Sequence, residues 1–290
     1  MNRFDKENIA ANFDRAAADY DQHAVLQKKV AERLVARLDF VTVRPEQIID
    51  IGSGTGTTSG FLARKYRNAR VVQLDLSQMM LRKSRRKGAW FFSRQHYICG
   101  DAEYLPIAPG MMDMVFSSLA YQWCNDLDLA FGEAKRILRP NGLFIFATLG
   151  PDTLKELRES WAAADAAMHV HTFFDMHDIG DALVRAGMEG VVMDVESVTM
   201  TYPDCIGLMR DLKDLGSRNA SLDRQGGLTG KGKLKQMLAA YEKYRREGKL
   251  PATYEVVYGH AWAPAHGRSE QSGRIAYVPV DTLRSRRQVK

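Results

Sequence analysis

With 290 residues, the chain can build one large α/β domain with insertions, or a domain plus a small lid. Hydrophobic residues at 45% and charged residues at 26% exclude a disordered chain, and no apolar run approaches the roughly 20 residues that a membrane-crossing helix needs. The net charge of +6 suits an anionic partner without choosing among nucleic acid, anionic lipid and acidic protein.

Residues 5 to 40 read as two helices that break near Tyr20-Asp21, with Val30, Leu34 and Leu38 marking one apolar stripe. From residue 47 strands and helices alternate. Strands are expected at Gln47–Ile51, Arg70–Leu74, Tyr97–Cys99, Met112–Ser117 and Leu143–Thr148. Helices are expected at Ser59–Tyr66, Ser77–Lys87 with Ser77 as N-cap, and Leu127–Leu138, the last stopped by Pro140-Asn141-Gly142. Such alternation implies parallel strands joined by crossover helices, hence a doubly wound sheet. Beyond residue 150, helices are expected at Asp152–Ala167 and Asp178–Ala186, then a strand at Val191–Thr201. Two more helices follow at 206–218 and 231–247, around a glycine-rich loop, before a strand at Thr253–Trp262. The expected organisation is an N-terminal helical cap (1–46), a core (47–202 and 251–265), a helical insertion (203–250) and a basic tail (266–290). The tail holds one short strand candidate, Ile275–Val280. The basic runs Arg82–Lys87 and Arg284–Lys290 read as solvated faces.

Cys99, Cys124 and Cys205 contain no CxxC pair and are odd in number, so neither a disulfide framework nor a zinc site is expected. They read as small buried residues in a reducing compartment. With a polar N-terminus lacking a signal-peptide core, they lead to an expected cytoplasmic location.

The chemistry concentrates where the first strand ends: Asp50-Ile51-Gly52-Ser53-Gly54-Thr55-Gly56. Glycines let the backbone turn tightly and let a ligand approach with no Cβ in the way. The helix that follows offers unpaired N–H groups. A dinucleotide loop would place its third glycine at position 57, where this chain has Thr57. The shorter GxGxG spacing, with Asp50 just ahead, suits a nucleoside carrying a sulfonium, whose cationic amino-acid portion Asp50 can favour. Asp75 closes the second strand and can accept from both ribose hydroxyls. Asp101 follows the third and can accept from an adenine amino group, beside the backbone N–H of Ala102. Either of Asp75 and Asp101 alone is more often a loop cap or a turn residue. Together they mark the carboxyl ends of successive strands, where open α/β sheets bind ligands.

These segments, IIDIGSGTG, VVQLD, CGDAEYLP and FSSLAYQW, resemble the motifs of class I methyltransferases. More narrowly, FDRAAADYDQHAVLQ, ATLGPDTLKELRESW, HTFFDMHDIGDALVRAGM, GLTG and LPATYEVVYGHAW resemble the malonyl-[acyl-carrier-protein] O-methyltransferases of biotin synthesis over the chain to about residue 265. The resemblance implies a Rossmann-like class I sheet with N-terminal helices and a helical lid insertion before the last strand. It implies S-adenosyl-L-methionine as cofactor, held by Asp50, Gly52, Ser53, Gly54, Gly56, Asp75, Leu76, Asp101, Ala102, Ser117 and Leu119. It implies methyl transfer to the free carboxylate of a malonyl thioester on acyl carrier protein, giving the ester that primes pimeloyl synthesis. The implied partner is that acidic carrier, with neither nucleic acid nor membrane involved. A mitochondrial family of complex I assembly hydroxylases shares some of the later blocks. A small-molecule methyltransferase and a cofactor-binding assembly factor or hydroxylase on the same fold therefore stand as the alternatives.

An alkyl carboxylic acid with a pKa of about 4 is already ionised at neutral pH, so this transfer needs no general base. It needs alignment and exclusion of water. By the family match Tyr20 closes over the cofactor, packing between helices being its competing role. Gln122 and Trp123, after the fourth strand, can line the methyl pocket, and Phe174 can form a lid wall above it, with core packing as the competing role of Trp123 and Phe174. Lys213 and Arg218 in the insertion are the candidate cations for the substrate carboxylate or the pantetheine phosphate, against a plain solvated face. His169, His171 and His177 have no companion ligand cluster, so no metal is expected and they read as ordinary surface or hydrogen-bonding residues.

Overall fold

A computed structural model describes residues 4–88, 95–165, 167–217 and 230–265. Arg218, most of the glycine-rich loop and the whole basic tail with its strand candidate lie outside the described residues.

Three helices precede the sheet: α1 (Lys6–Ala16), α2 (Tyr20–His23) and α3 (Val25–Arg37). The expected break at Tyr20-Asp21 is thus itself a single helical turn, with bends on either side. β1 (Gln47–Ile51), α4 (Thr57–Lys65), β2 (Arg70–Asp75), α5 (Gln78–Gly88), β3 (Gln95–Cys99), β4 (Met112–Ser118), α6 (Leu127–Ile137) and β5 (Leu138–Leu149) follow. Then come α7 (Lys155–Ala162), α8 (Met176–Arg185), β6 (Glu189–Tyr202), α9 (Cys205–Asp214), α10 (Lys231–Tyr241) and β7 (Leu250–Trp262).

Among the described residues seven strands lie in the order β3-β2-β1-β4-β5-β7-β6. β1 to β5 are parallel, and β7 runs antiparallel to both β5 and β6. The sheet is therefore mixed rather than wholly parallel. α9 and α10 form the excursion between β6 and β7. Strand order reverses between β1 and β4, the switch point where such sheets open a crevice at their carboxyl ends.

Side-chain alternation divides the core cleanly. Ile48, Met114, Phe116, Leu143 and Ile145 face one cluster, where α3, α4, α7, α9 and α10 pack. Ile49, Ile51, Val115, Phe144 and Phe146 face the other, against α6 and α8. Both faces of the central strands are buried, which is why they read as continuous apolar runs. Aspartates start several helices: Asp5, Asp126, Asp175 and Asp204 each accept from backbone N–H groups of the first turn. Ser77 does the same for α5, accepting from Met80 N at 3.1 Å.

Some elements differ from the sequence reading. α7 starts at Lys155 because Leu154 adopts a left-handed conformation (φ 54°). α10 ends at Tyr241 in a 3-10 turn, Glu242–Tyr244. β5 begins at Leu138, five residues early, and Asn141 (φ 60°) lies at the register shift against β4. Cys124 and Cys205 are buried, whereas Cys99 is exposed.

Candidate functional site

The glycine loop leaves β1 at the switch point, and its first turn is anchored to the neighbouring strand. Gly52 N and Ser53 N donate to Leu74 O at 2.8 and 3.1 Å. A Cβ on Gly52 (φ 71°) would stand 2.2 Å from the Ala120 Cβ, so no other residue fits without displacing the β4 loop. Gly56 (φ 81°) packs as tightly on Ser84 of α5. Gly54 differs: a Cβ there meets nothing within 4 Å, because the loop faces a cavity.

That cavity, of about 660 Å³, is lined by Gly52, Gly54, Asp75, Leu76, Asp101, Ala102, Leu119 and Trp123 among others. Its mixed polar and apolar lining is that of a small-molecule site. Asp75 receives Gly54 N on Oδ2 and Ser77 N on Oδ1, both at 2.8 Å. It thereby ties the glycine loop to the start of α5. Burial raises its carboxyl to about 6 against those backbone donors.

Asp50 stands behind the loop, fully buried and off the cavity wall. Its Oδ2 accepts from Ser59 Oγ at 2.5 Å, and Oδ1 has no hydrogen-bond partner. Burial pushes this carboxyl up to about 7, and the Asp75 charge adds to the rise. Gly56 and Ser117 also stand off the cavity. The Ser117 side chain is buried and donates to Ile51 O at 2.9 Å, so its neighbour Ser118 reaches the cavity instead. Ser53 lines an adjoining cleft with Tyr20, Gln27, Lys28 and Lys87.

The N-terminal residues form a strap across every loop of this site. Phe4 exchanges backbone hydrogen bonds with the Asn125 side chain after β4, at 2.6 and 3.2 Å. Lys6 pairs with Asp101 at 3.0 Å and with Glu103 after β3. Asp14 accepts from Ser77 Oγ (2.6 Å) and Met79 N (3.0 Å) after β2. Asp21 accepts from Thr55 Oγ1 at 2.5 Å and pairs with Lys83 and Lys87, at 3.1 and 2.7 Å. Lys6, Ile9, Phe13 and Tyr20 of the strap line the cavity themselves. Sequence reasoning missed Lys6 and Phe13, whose contacts lie about a hundred residues away along the chain.

A second cavity, of about 950 Å³, lies beneath the strap, the loop before α8, and α9. Leu26, Leu149, Leu154, Leu157, Val170 and Met200 make much of it apolar. Phe13, Tyr20, Leu119 and Trp123 line both cavities and so mark their junction. Leu119 holds a left-handed backbone (φ 56°) there, and its carbonyl accepts from Gln122 Nε2 at 2.7 Å. Strain of this kind, in a non-glycine residue, is typical of functional loops. Burial, with Asp75 and Asp21 close by, drives the Tyr20 phenol upward, so its hydroxyl stays a proton donor.

Of the other candidates, Gln122 and Trp123 line the second cavity. Phe174 does not: it packs on the α6–α8 core and lines a small neighbouring void, while Phe173 faces the cavity. Lys213 is exposed on α9 and lines neither cavity. His23, His169 and His171 line the second cavity, whereas His177 does not. His177 is exposed at the start of α8, and His169 stacks on Trp161 (3.7 Å between centroids) with Nε2 at 2.8 Å from Asp165. His171, read from sequence as an ordinary surface or hydrogen-bonding residue, is buried at the cavity wall, which removes the surface alternative. Among the described residues no group of three or more His, Cys, Asp and Glu is placed to hold a metal.

Residues 49–146 match the model of a methyltransferase domain. The chain is 51% identical over 265 residues to the malonyl-[acyl-carrier protein] O-methyltransferase of Methylovorus sp. (strain MP688), covering 90% of each chain. It is 42% identical to the protein of that name from Halorhodospira halophila, covering 98% of this chain and 97% of that one. Among solved structures, the YcgJ protein of Bacillus subtilis aligns with a TM-score of 0.57 at 12% identity, over 81% of this chain and all of the other, a likeness of fold. A sheet of the class I order, a glycine loop at its switch point and relatives of this identity along nearly the whole length lead to one assignment: the chain belongs to the malonyl-[acyl-carrier protein] O-methyltransferase family of class I methyltransferases.

Proposed function

We propose that the chain transfers a methyl group from S-adenosyl-L-methionine to the free carboxylate of a malonyl thioester on acyl carrier protein. The ester so formed primes pimeloyl synthesis for biotin. The observation that carries this reading is the junction: two cavities, one bordered by strand-tip carboxylates and one largely apolar, meet at Phe13, Tyr20, Leu119 and Trp123.

The residues of the first cavity fit the cofactor. The glycine loop is open toward the cavity at Gly54, and Asp75 and Asp101 stand at the tips of β2 and β3. Asp50 keeps a buried oxygen with no hydrogen-bond partner behind the same loop, a negative group suited to the cationic amino-acid portion. When bound, S-adenosyl-L-methionine supplies an electrophilic methyl on a positively charged sulfur.

In this reading Asp75 accepts from the ribose with the lone pairs that Gly54 and Ser77 leave over. Leu76, Asp101 and Ala102 border the base, with Asp101 shared between it and Lys6. Gly52, Ser53, Gly54 and Leu119 shape the amino-acid end, while Asp50, Gly56 and Ser117 support the loop from behind. Tyr20 and Trp123 form the collar around the methyl, and Gln122 braces Leu119. Residues 1–46 act as cap and 203–250 as lid on the core formed by 47–202 and 251–265. Closure of the strap excludes water from a carboxylate that must attack with little solvent around it. One carboxylate oxygen forms the new bond as the methyl leaves sulfur, opposite charges cancel, and no proton moves. A base is therefore unnecessary.

An acidic carrier protein in the cytoplasm is the partner in this proposal, and the +6 charge favours its approach. Incubation with S-adenosyl-L-methionine and malonyl-carrier protein, followed by mass measurement of the acyl group, should show the gain of one methylene. Methylation of phenols or quinones but not of malonyl-carrier protein would overturn the proposal.

A further inference from the structure

The acceptor cavity poses an electrostatic question. In the proposed reaction its occupant carries a carboxylate, yet among the described residues no Lys or Arg side chain lines it. Several of its polar side chains hold one another. Tyr202 donates to Asp211 Oδ2 at 2.9 Å, and His23 Nδ1 lies 3.0 Å from Asp211 Oδ1. Thr153 Oγ1 donates to Glu255 O at 3.2 Å, Gln122 holds the Leu119 carbonyl, and His169 is tied to Asp165 and Trp161. These contacts build the wall.

His171 is distinguished by its position. It is 7% exposed, lines the cavity, and stands edge-on to Trp123 with ring centroids 5.7 Å apart. Phe4 of the strap flanks it in the same manner at 5.0 Å. Trp123 lines both cavities, so an imidazole stands one ring away from the place where donor and acceptor meet. Tyr20, a neutral hydroxyl donor, lies at that place itself.

We propose that His171 receives the acceptor carboxylate through an imidazole N–H and thereby selects malonyl thioesters over those ending in a methyl group. This deepens the proposed reaction and rests on it. One carboxylate oxygen accepts from the imidazole, and the other faces the junction. The arrangement suits a nucleophile that loses its charge as it reacts. A guanidinium would favour the ionised ground state more than the transition state, whereas a hydrogen bond orients the group at smaller cost. It also gives discrimination, since a thioester without the carboxylate cannot accept this hydrogen bond. The aromatic flanks fix the ring plane, and Phe4 brings the imidazole under control of the strap.

The test compares the wild-type protein with His171→Phe and His171→Gln. Steady-state kinetics are measured with malonyl-carrier protein, and calorimetric titration gives the S-adenosyl-L-methionine affinity. Inhibition is measured with malonyl-pantetheine and acetyl-pantetheine. His171→Phe should raise KM for malonyl-carrier protein about 10- to 100-fold, the loss expected for one hydrogen bond to a charged group. The cofactor Kd should stay within about twofold and the preference for malonyl- over acetyl-pantetheine should collapse. His171→Gln, which keeps an N–H donor, should recover part of both. An unchanged KM and preference in His171→Phe would overturn the proposal. So would a parallel loss of cofactor binding in both variants, which would make the ring a packing element. Absence of any methyl ester from the wild-type protein would instead remove the reaction on which the proposal stands.

Discussion

Replacing Asp50 by Asn should stabilise the ligand-free protein at pH 8 and fail to do so at pH 5. Asp50 is fully buried, Ser59 satisfies one oxygen, and no partner reaches the other. Burial raises its carboxyl to about 7, and Asp75 contributes. A carboxyl raised on folding is most compatible with the native state below its unfolded pKa of about 4, and its contribution falls as pH rises through the folded value. By pH 8 the ionised group costs roughly 4 kcal/mol. Asn keeps the acceptor for Ser59 and removes the charge, while its amide enters a site without an acceptor, at a cost of about 1–3 kcal/mol. The net gain at pH 8 is about 1–3 kcal/mol, or roughly 2–8 °C in Tm for a chain of this size. At pH 5 taking up a proton on folding still costs about 1.4 kcal/mol, which does no more than offset the amide penalty, so the gain seen at pH 8 disappears. Thermal unfolding of both proteins without cofactor at the two pH values checks this, and calorimetry at pH 8 should find weaker cofactor binding in the variant. A Tm lowered equally at both pH values would refute the reasoning, because Asp50 would then not be a charge held at a cost.

Asp75→Ala should weaken cofactor binding by about 1.5–3 kcal/mol through lost ribose hydrogen bonds, and normal affinity by calorimetry would displace the ribose from β2. Gly52→Ala should destabilise the protein and abolish binding, since its Cβ would lie 2.2 Å from that of Ala120. Adding Ala120→Gly should recover part of the stability, and a double-mutant cycle by denaturant unfolding reads the coupling. Affinity for the carrier protein should fall as salt rises from about 50 to 300 mM, and a flat profile in a binding titration would remove the steering role given to the +6 charge.

The strand-tip candidates were legible because a βα unit keeps its chemistry local: the loop after each strand lies within a few residues of the apolar run that announces it. Asp75, Asp101 and the open side of Gly54 reach the cavity for that reason. Parity was harder to read. Ser117 and Ser118 differ by one residue and point to opposite faces of β4, and only the register fixes which of them meets the Ile51 carbonyl. Phe173 and Phe174 pose the same problem on an irregular loop with no period at all. The strap's ties were out of reach. Lys6 finds Asp101, and Asp14 finds Ser77, across 95 and 63 residues, and nothing local distinguishes them from solvated charges on an amphipathic helix.

Those long-range ties also bear on how the reaction proceeds. The same segment that caps α5 and pairs with the β3 loop supplies Phe13 and Tyr20 to the junction and Phe4 to the flank of His171. A strap in place thus completes the wall of both cavities at once, so cofactor seating and acceptor alignment are not independent events. Each of its polar ties is a single ion pair or hydrogen bond, worth about 1 kcal/mol. Opening to exchange cofactor therefore requires several modest contacts to release together. A chemistry that asks only for alignment and dryness is well served by such a closure, because neither requirement calls for an acid, a base or a metal at the reacting carbon.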